Sequence, residues 1–247
     1  MQQHKIVSQA EWIEARKAHL AREKELTHKL DRLREERRAL PWVKVEKDYI
    51  FDGPDGKVSL AALFQGRSQL VVQHFMFGPG WKEGCIGCSF AADHVDAARQ
   101  HFEQKDVSFV AVARAPYPEL AAFKQRMGWH FLWVSSFGND FNYDFGVSFT
   151  PEQVASGAIQ YNYSQMKADG EEQPGVSVFY KNERGEIFHT YSAYARGDES
   201  TIGAYAYLDL VPKGRDENGP GFNLGDWVKL HDKYETPSTA NCCATRA

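Results

Sequence analysis

Apolar positions follow a helical period over the first forty residues and change period at Trp42. Leu26, Leu30, Leu33 and Leu40 fall four, three and seven residues apart with charged residues between them, a spacing that predicts one long helix. Ser8 and Glu11 have the separation of a capping box at its start. Pro41 ends it at Leu40, because the residue before a proline is pushed out of helical geometry. About 30 helical residues would run roughly 45 Å. So narrow an apolar stripe suits an arm that clasps the body or a second subunit, or one that simply stands in solvent. Beyond Trp42 the signals are those of strands. Val43, Val45 and residues 49–51 lead into the turn Gly53-Pro54-Asp55-Gly56, followed by residues 58–60. Residues 69–77, mostly β-branched or aromatic, and 107–113, unbroken and apolar, read as buried central strands. Helices are predicted over 85–104, 118–127 and 226–234, a short strand over 132–134, and a hairpin from 176–180 and 186–191 around Asn182-Glu183-Arg184-Gly185. Residues 135–152 read as an ordered loop, and 153–173 carry no clear period.

Strands alternating with helices and closing on a hairpin are an α/β order. In such sheets the functional crevice lies beyond the carboxyl ends of the parallel strands. The loop carrying Cys85 leaves the strand at 69–77 and Arg114 leaves the strand at 107–113, so neighbouring strands would turn both toward one crevice. The expected division is a helical arm at 1–40, a body at 41–235 and a flexible tail at 236–247.

Composition narrows the function classes. The chain has 247 residues, is 43% hydrophobic and 25% charged, and carries a net charge of −4, values of a soluble globular protein with no call for nucleic acid. Charge is uneven: residues 1–40 hold ten Lys/Arg against seven Asp/Glu, so a +3 arm precedes a −7 body. No apolar run approaches the roughly 18 residues of a membrane span, and residues 1–12 lack the apolar core of a signal peptide. These features favour the cytoplasm, where paired cysteines are more often catalytic or metal-binding than structural.

The four cysteines come as two pairs, Cys85/Cys88 and Cys242/Cys243. Cys-x-x-Cys entering a helix after a buried strand favours a redox dithiol. The helix start lowers the pKa of Cys85, whose thiolate is the nucleophile, with Lys82 helping and Glu83 opposing. Cys88, one turn on, can resolve a mixed disulfide, and Gly84 and Gly87 would leave space for a substrate. Arg114 is the supporting candidate, steering an anionic substrate or steadying the thiolate. Two other readings stay open: a soft metal (zinc or copper) held by Cys85, Cys88 and His94, and a scaffold without chemistry. No cofactor is called for. Trp129, Trp133, Phe137, Phe141, Tyr143 and Phe145 read as core before they read as a ligand groove. The tail cysteines read as idle thiols or as a relay to Cys85.

Six segments carry a family resemblance: PWVKVEKDYIFDGPDGKVSL, HFMFGPGW, GCIGCSFAADH, VAVARAP, KQRMGWHFLWVSSFGNDFNYDFGVSFTPE and YSAYARG. Together they resemble the bacterial domain-of-unknown-function family 899 over roughly residues 8–235. The resemblance implies a thioredoxin-like mixed sheet flanked by helices, with the N-terminal helical arm added. It also implies Cys85/Cys88 as the redox position, near the alkyl-hydroperoxide-reductase and thiol-disulfide-oxidoreductase branch, with a thiol or disulfide partner, a protein among them. Oligomerisation would run through the N-terminal helix. The sequence departs from those relatives at three places. Trp81 stands four residues before Cys85. Lys82 and Val176 occupy the places of the peroxidase Thr and Arg. Pro174 lies two residues ahead of the strand at 176–180.

Overall fold

The computed structural model describes residues 4–215, 217 and 227–235. The first helix, α1 (Gln9–Arg38), begins on the capping box: the Ser8 side chain accepts from the Glu11 amide and the Glu11 carboxylate accepts from the Ser8 amide. None of its 30 residues is buried. It meets the body at its last turn, where the Arg37 guanidinium lies 4.5 Å over the Tyr191 ring.

Among the described residues ten strands follow: β1 (Val43–Lys44), β2 (Ile50–Gly53), β3 (Gly56–Ser59), β4 (Gln69–His74), β5 (Val107–Ala113), β6 (Leu132–Ser135), β7 (Ala158–Tyr161), β8 (Ser164–Lys167), β9 (Gly175–Lys181) and β10 (Ile187–Tyr194). Between them lie α2 (Leu60–Leu63), α3 (Ile86–Ala92), α4 (Val95–Phe102), α5 (Tyr117–Arg126), α6 (Phe141–Asp144) and α7 (Pro151–Ala155), with α8 (Gly203–Leu208) after the last strand. Eight strands form one sheet in the order β1-β10-β9-β4-β5-β6-β2-β3. β4, β5 and β6 are parallel, and the β9–β10 hairpin adds antiparallel to β4. A parallel βαβαβ unit extended by an antiparallel hairpin on its first strand is the thioredoxin-like arrangement. No described helix is long and apolar enough to cross a membrane.

Strand alternation divides the core in two. Leu70, Val72, Val110 and Val112 face Phe51, Leu63, Phe141 and Phe179 on one side. Ala111 and Ala113 face Phe75, Phe77, Leu120, Trp129, Trp133 and Cys88 on the other. The aromatics of 129–145 are therefore largely core: Trp129, Trp133 and Phe141 are buried, whereas Phe137 and Tyr143 are exposed.

Four stretches differ from the sequence expectation; the first, the loop expected over 135–152, holds α6 and the first two residues of α7. The helix over 85–104 is broken at Asp93 and His94, where the Asp93 carboxylate accepts from Trp129 Nε1 (2.8 Å) and His231 Nδ1 lies at 2.7 Å. The segment expected as a helix over 226–234 instead shows, in its described part, residues outside any helix followed by a 3-10 turn at His231–Lys233. It drops Val228 and Leu230 into two separate apolar clusters. The polar stretch 153–173 contains the end of α7 and the β7–β8 hairpin, paired from Ala158–Lys167 to Tyr161–Ser164. The tail at 236–247, with Cys242 and Cys243, lies outside the described residues.

Candidate functional site: a dithiol at the carboxyl end of β4

β4 runs on as an extended chain past His74, with the Phe75 amide donating to Val112 O (2.8 Å) and the Ala115 amide to Phe77 O (2.7 Å). The loop then returns, and the Cys85 amide donates to Met76 O at 3.0 Å. The return is tight at Gly84. A Cβ there would stand 2.6 Å from one Phe75 ring carbon and 3.1 Å from Phe123. Gly84 is therefore a packing glycine set against the core and does not open space for a substrate.

Cys85 caps α3, and its Sγ accepts the Cys88 amide at 3.5 Å. Cys88 sits one turn on, 4% exposed within the apolar cluster, with its Sγ accepting the Met76 amide at 3.4 Å. Both are free thiols. Their environments separate them. Hydrogen bonding from the Cys88 thiol, aided by the Cys88 and Gly87 amides, lowers the Cys85 pKa to about 7 against the opposing effect of burial. The same thiol contact, burial and the nearby negative charges of Cys85 and Asp198 raise Cys88 well above the ordinary thiol value. Glu83, expected to oppose the Cys85 thiolate, is paired with Arg126 and Lys233, each at 2.6 Å.

Both sulfurs line a cavity of about 190 Å³ whose other walls include Gln73, His74, Pro174 and Asp198. Pro174 immediately precedes β9, which begins one residue earlier than the sequence pattern indicated. Its carbonyl accepts from Tyr161 Oη at 2.6 Å while Tyr161 Oη accepts the Ala195 amide at 2.8 Å, so one phenol ties together two walls of the cavity. Asp198 carried no pattern signal, because it lies in the irregular 3-10 segment Ala195–Thr201. Its carboxyl pKa is raised by burial. Gln73 and His74 were legible only as strand residues.

Arg114 is not among the residues lining that cavity. Alternation on β5 explains this: Ala111 and Ala113 face the dithiol side, so Arg114 falls with Val110 and Val112 on the other. There its Nε lies 2.7 Å from Glu172 Oε1 and its Nη2 3.2 Å from Glu171, with the Tyr143 hydroxyl also in contact. Burial pushes the Glu172 carboxyl up to about 7 against the pull of Arg114. The folded state thus holds a proton that the unfolded chain releases near pH 4.5, and stability from this group falls as pH rises from about 4.5 through 7. Glu172→Gln is expected to flatten the urea-midpoint profile across that window. An unchanged slope would assign the pH dependence elsewhere.

His94 is fully engaged as a connector. Its Nδ1 lies 2.7 Å from Phe90 O, and its Nε2 accepts the Ala204 amide at 3.1 Å. Among the described residues no group of three or more His, Cys, Asp and Glu is arranged to hold a metal.

A family model described as "Bacterial protein of unknown function (DUF899)" matches residues 1–234. No curated protein matches the sequence. Solved structures similar to the chain include the peroxidoxin BcpB from Mycobacterium tuberculosis, at 13% identity and a TM-score of 0.44, covering 68% of this chain and 96% of that one. Peroxiredoxin Q from Xanthomonas campestris has 14% identity and a TM-score of 0.43, covering 65% and 89%. A putative thiol:disulfide interchange protein DsbE from Chlorobium tepidum has 14% identity and a TM-score of 0.40, covering 67% and 97%.

Proposed function

The chain belongs to the bacterial DUF899 family, and we propose that it is a thiol-disulfide oxidoreductase working through Cys85 and Cys88. The observation that carries this reading is the asymmetry of the pair: a partly exposed thiol lowered to about 7 beside a buried thiol raised far above it. A thiolate attacks best when its pKa lies near the ambient pH, and a buried partner held as the thiol does not compete for the substrate. Cys85 attacks a substrate disulfide, one substrate sulfur leaves as a thiol, and Cys88 then attacks Cys85 Sγ to release the second. Arg114 acts as a positioning residue. Its pair with Glu172 braces the chain entering Pro174, because the Glu172 side chain also packs close to Gly78 in the loop that leads to the dithiol.

Peroxide is a poor fit as substrate. Lys82 is exposed, and Val176 pairs with Gln73 within the sheet, so neither supplies the hydrogen bonds that would polarise a peroxide. The soft-metal reading loses His94, whose two ring nitrogens are already bonded. We place the reaction in the reducing cytoplasm, on a thiol or disulfide substrate, with a homo-oligomer held through α1 that light scattering on the full chain would reveal.

The test is thiol titration beside metal analysis, on protein whose Cys242 and Cys243 are replaced by serine. Mild oxidation is expected to remove both remaining thiols and a reductant to restore them, in metal-free protein. A stoichiometric metal, or thiols that resist oxidation in the folded state, would overturn the reading.

A further inference from the structure

A second cavity, of about 290 Å³, lies between α4 and the dithiol face of the sheet, and nothing in the exchange chemistry above uses it. Val71 and Gln73 alternate on β4 with the core residues Leu70 and Val72, so they reach that face. Val71 is joined there by Val95 and Phe102 of α4, Phe109 of β5 and Val176 of β9, which make the walls largely apolar. Gln73, Ala91 and Asp198 line this cavity and the dithiol cavity alike, so the two spaces abut at an amide, a methyl and a carboxyl.

Gln73 is the group that core packing does not account for. It sits on a central strand, 4% exposed, between Ala111 of β5 and Val176 of β9. Its Nε2 donates to Cys88 O at 3.0 Å. A carbonyl oxygen only accepts, so the orientation of the amide is fixed and Oε1 is left as the acceptor. That oxygen has no hydrogen-bond partner among the described residues. A buried acceptor without a donor is costly, and one at the border of two cavities is placed to meet a donor carried by a ligand. Two other polar residues of the second cavity are engaged: both ring nitrogens of His94 are bonded, and Thr201 Oγ1 donates to Asp198 O at 2.7 Å. Asp198 brings a carboxyl to the border, which disfavours an anionic ligand.

We propose that the second cavity holds the arm of a small disulfide substrate, a neutral acylated aminothiol whose sulfur meets Cys85, whose amide N–H donates to Gln73 Oε1 and whose aliphatic acyl chain lies among the apolar walls. The proposal rests on the oxidoreductase reading and deepens it by naming the substrate class. The order of groups along such a molecule is the order of the walls: sulfur in the dithiol cavity, donor at the border, apolar chain beyond. The Cys85 thiolate attacks the nearer sulfur, a bond forms to Cys85 Sγ and the substrate S–S bond breaks. One acylated thiol leaves with the electron pair and takes a proton from solvent. The half held on Cys85 keeps its chain in the second cavity. Cys88 then gives up its proton and attacks Cys85 Sγ, and the second half leaves as a thiolate that is protonated in turn. Two electrons pass from protein to substrate, which ends as two thiols while Cys85 and Cys88 end as a disulfide.

Single-turnover oxidation of the reduced protein, with Cys242 and Cys243 replaced by serine and the reaction stopped by acid and alkylation, tests the arm site. The probes are the disulfides of N-hexanoylcysteamine, N-acetylcysteamine and 2-mercaptoethyl hexanoate, the last having an ester oxygen in place of the amide N–H. Each rate is divided by that of free dithiothreitol with the same probe, which removes differences in intrinsic reactivity. The hexanoyl amide is expected to react roughly 10-fold or more faster than the acetyl amide, as added methylenes do in a hydrophobic pocket. It should also exceed the ester by roughly 10-fold, the effect of supplying a donor to a buried acceptor. Ala98→Phe, at an exposed position of α4 that lines the cavity, should bring the hexanoyl-to-acetyl ratio toward one. Gln73→Leu should do the same to the amide-to-ester ratio. Either preference missing in the wild type, or kept in its variant, overturns the arm site and leaves the dithiol reading standing. A wild-type protein that forms no reversible disulfide overturns both.

Discussion

Cys85→Ser abolishes disulfide exchange, on the order of 10³-fold or more, while Cys88→Ser keeps the first attack and stalls. This is the expected result because, of the two described cysteines, Cys85 combines a lowered pKa with an exposed edge, and loss of a catalytic nucleophile removes the covalent route entirely. Cys88→Ser leaves the attacking sulfur in place without its resolving partner, so a mixed disulfide accumulates. Mass spectrometry after incubation with an excess disulfide distinguishes the two: no adduct for Cys85→Ser, a single stable adduct on Cys85 for Cys88→Ser. Peptide mapping of that adduct in the absence of added disulfide also shows whether Cys242 or Cys243 reaches Cys85, as a tail relay requires. If Cys88→Ser reacts no faster than Cys85→Ser, the assignment of attacking and resolving sulfurs is reversed or void.

The second large effect comes from a missing methyl group. Gly84→Ala would force a Cβ to 2.6 Å and 3.0 Å from two carbons of the Phe75 ring and 3.1 Å from Phe123. Phe75 is 1% exposed and held edge-on by Trp129 and closely by Trp133, so the ring has nowhere to turn. The loop must lift instead, which costs about 1–3 kcal/mol as overpacking does. In a chain of this size that is roughly 2–4 °C of melting temperature for each kcal/mol. Lifting the loop also weakens the contact from the Cys85 amide to Met76 O, so Cys85 alkylation should shift in rate along with stability. A Gly84→Ala protein with unchanged melting and unchanged reactivity would show that the loop does not rest on Phe75.

Much of the architecture is legible in the chain. β5 occupies the run 107–113 that its unbroken apolar pattern indicates, and the capping box at Ser8 and Glu11 marks the start of α1 to the residue. The placement of Cys85 at the start of α3 with Cys88 one turn on is legible too, since it needs only strand, loop and helix in that order. What escaped has physical reasons. The β7–β8 hairpin turns on Asn162 and Tyr163, both at positive φ. A tyrosine in the left-handed region gives none of the glycine signal by which such turns are read. The break at Asp93 depends on Trp129 and His231, residues far along the chain. The end of its strand points Arg114 toward the crevice, whereas strand parity turns its side chain to Glu172 on the other face. His74 and Asp198 became site residues only when β4 and the segment after β10 met at one cavity.

α1 joins thirty residues in one helix with none of them buried. Without tertiary packing the helix is held by its backbone ladder and exposed ion pairs such as Lys17–Glu14 and Lys29–Glu25, and it lacks the packed face that supplies most helical stability in proteins. The arm is therefore expected to open at a lower free energy than the sheet. Amide hydrogen exchange would divide sharply near Trp42: fast opening before it, slow exchange through β4 and β5 after it. Protection that spreads into the arm as concentration rises would be the signature of a second surface covering α1, because only a packed face can raise a helix of this kind above its own fraying.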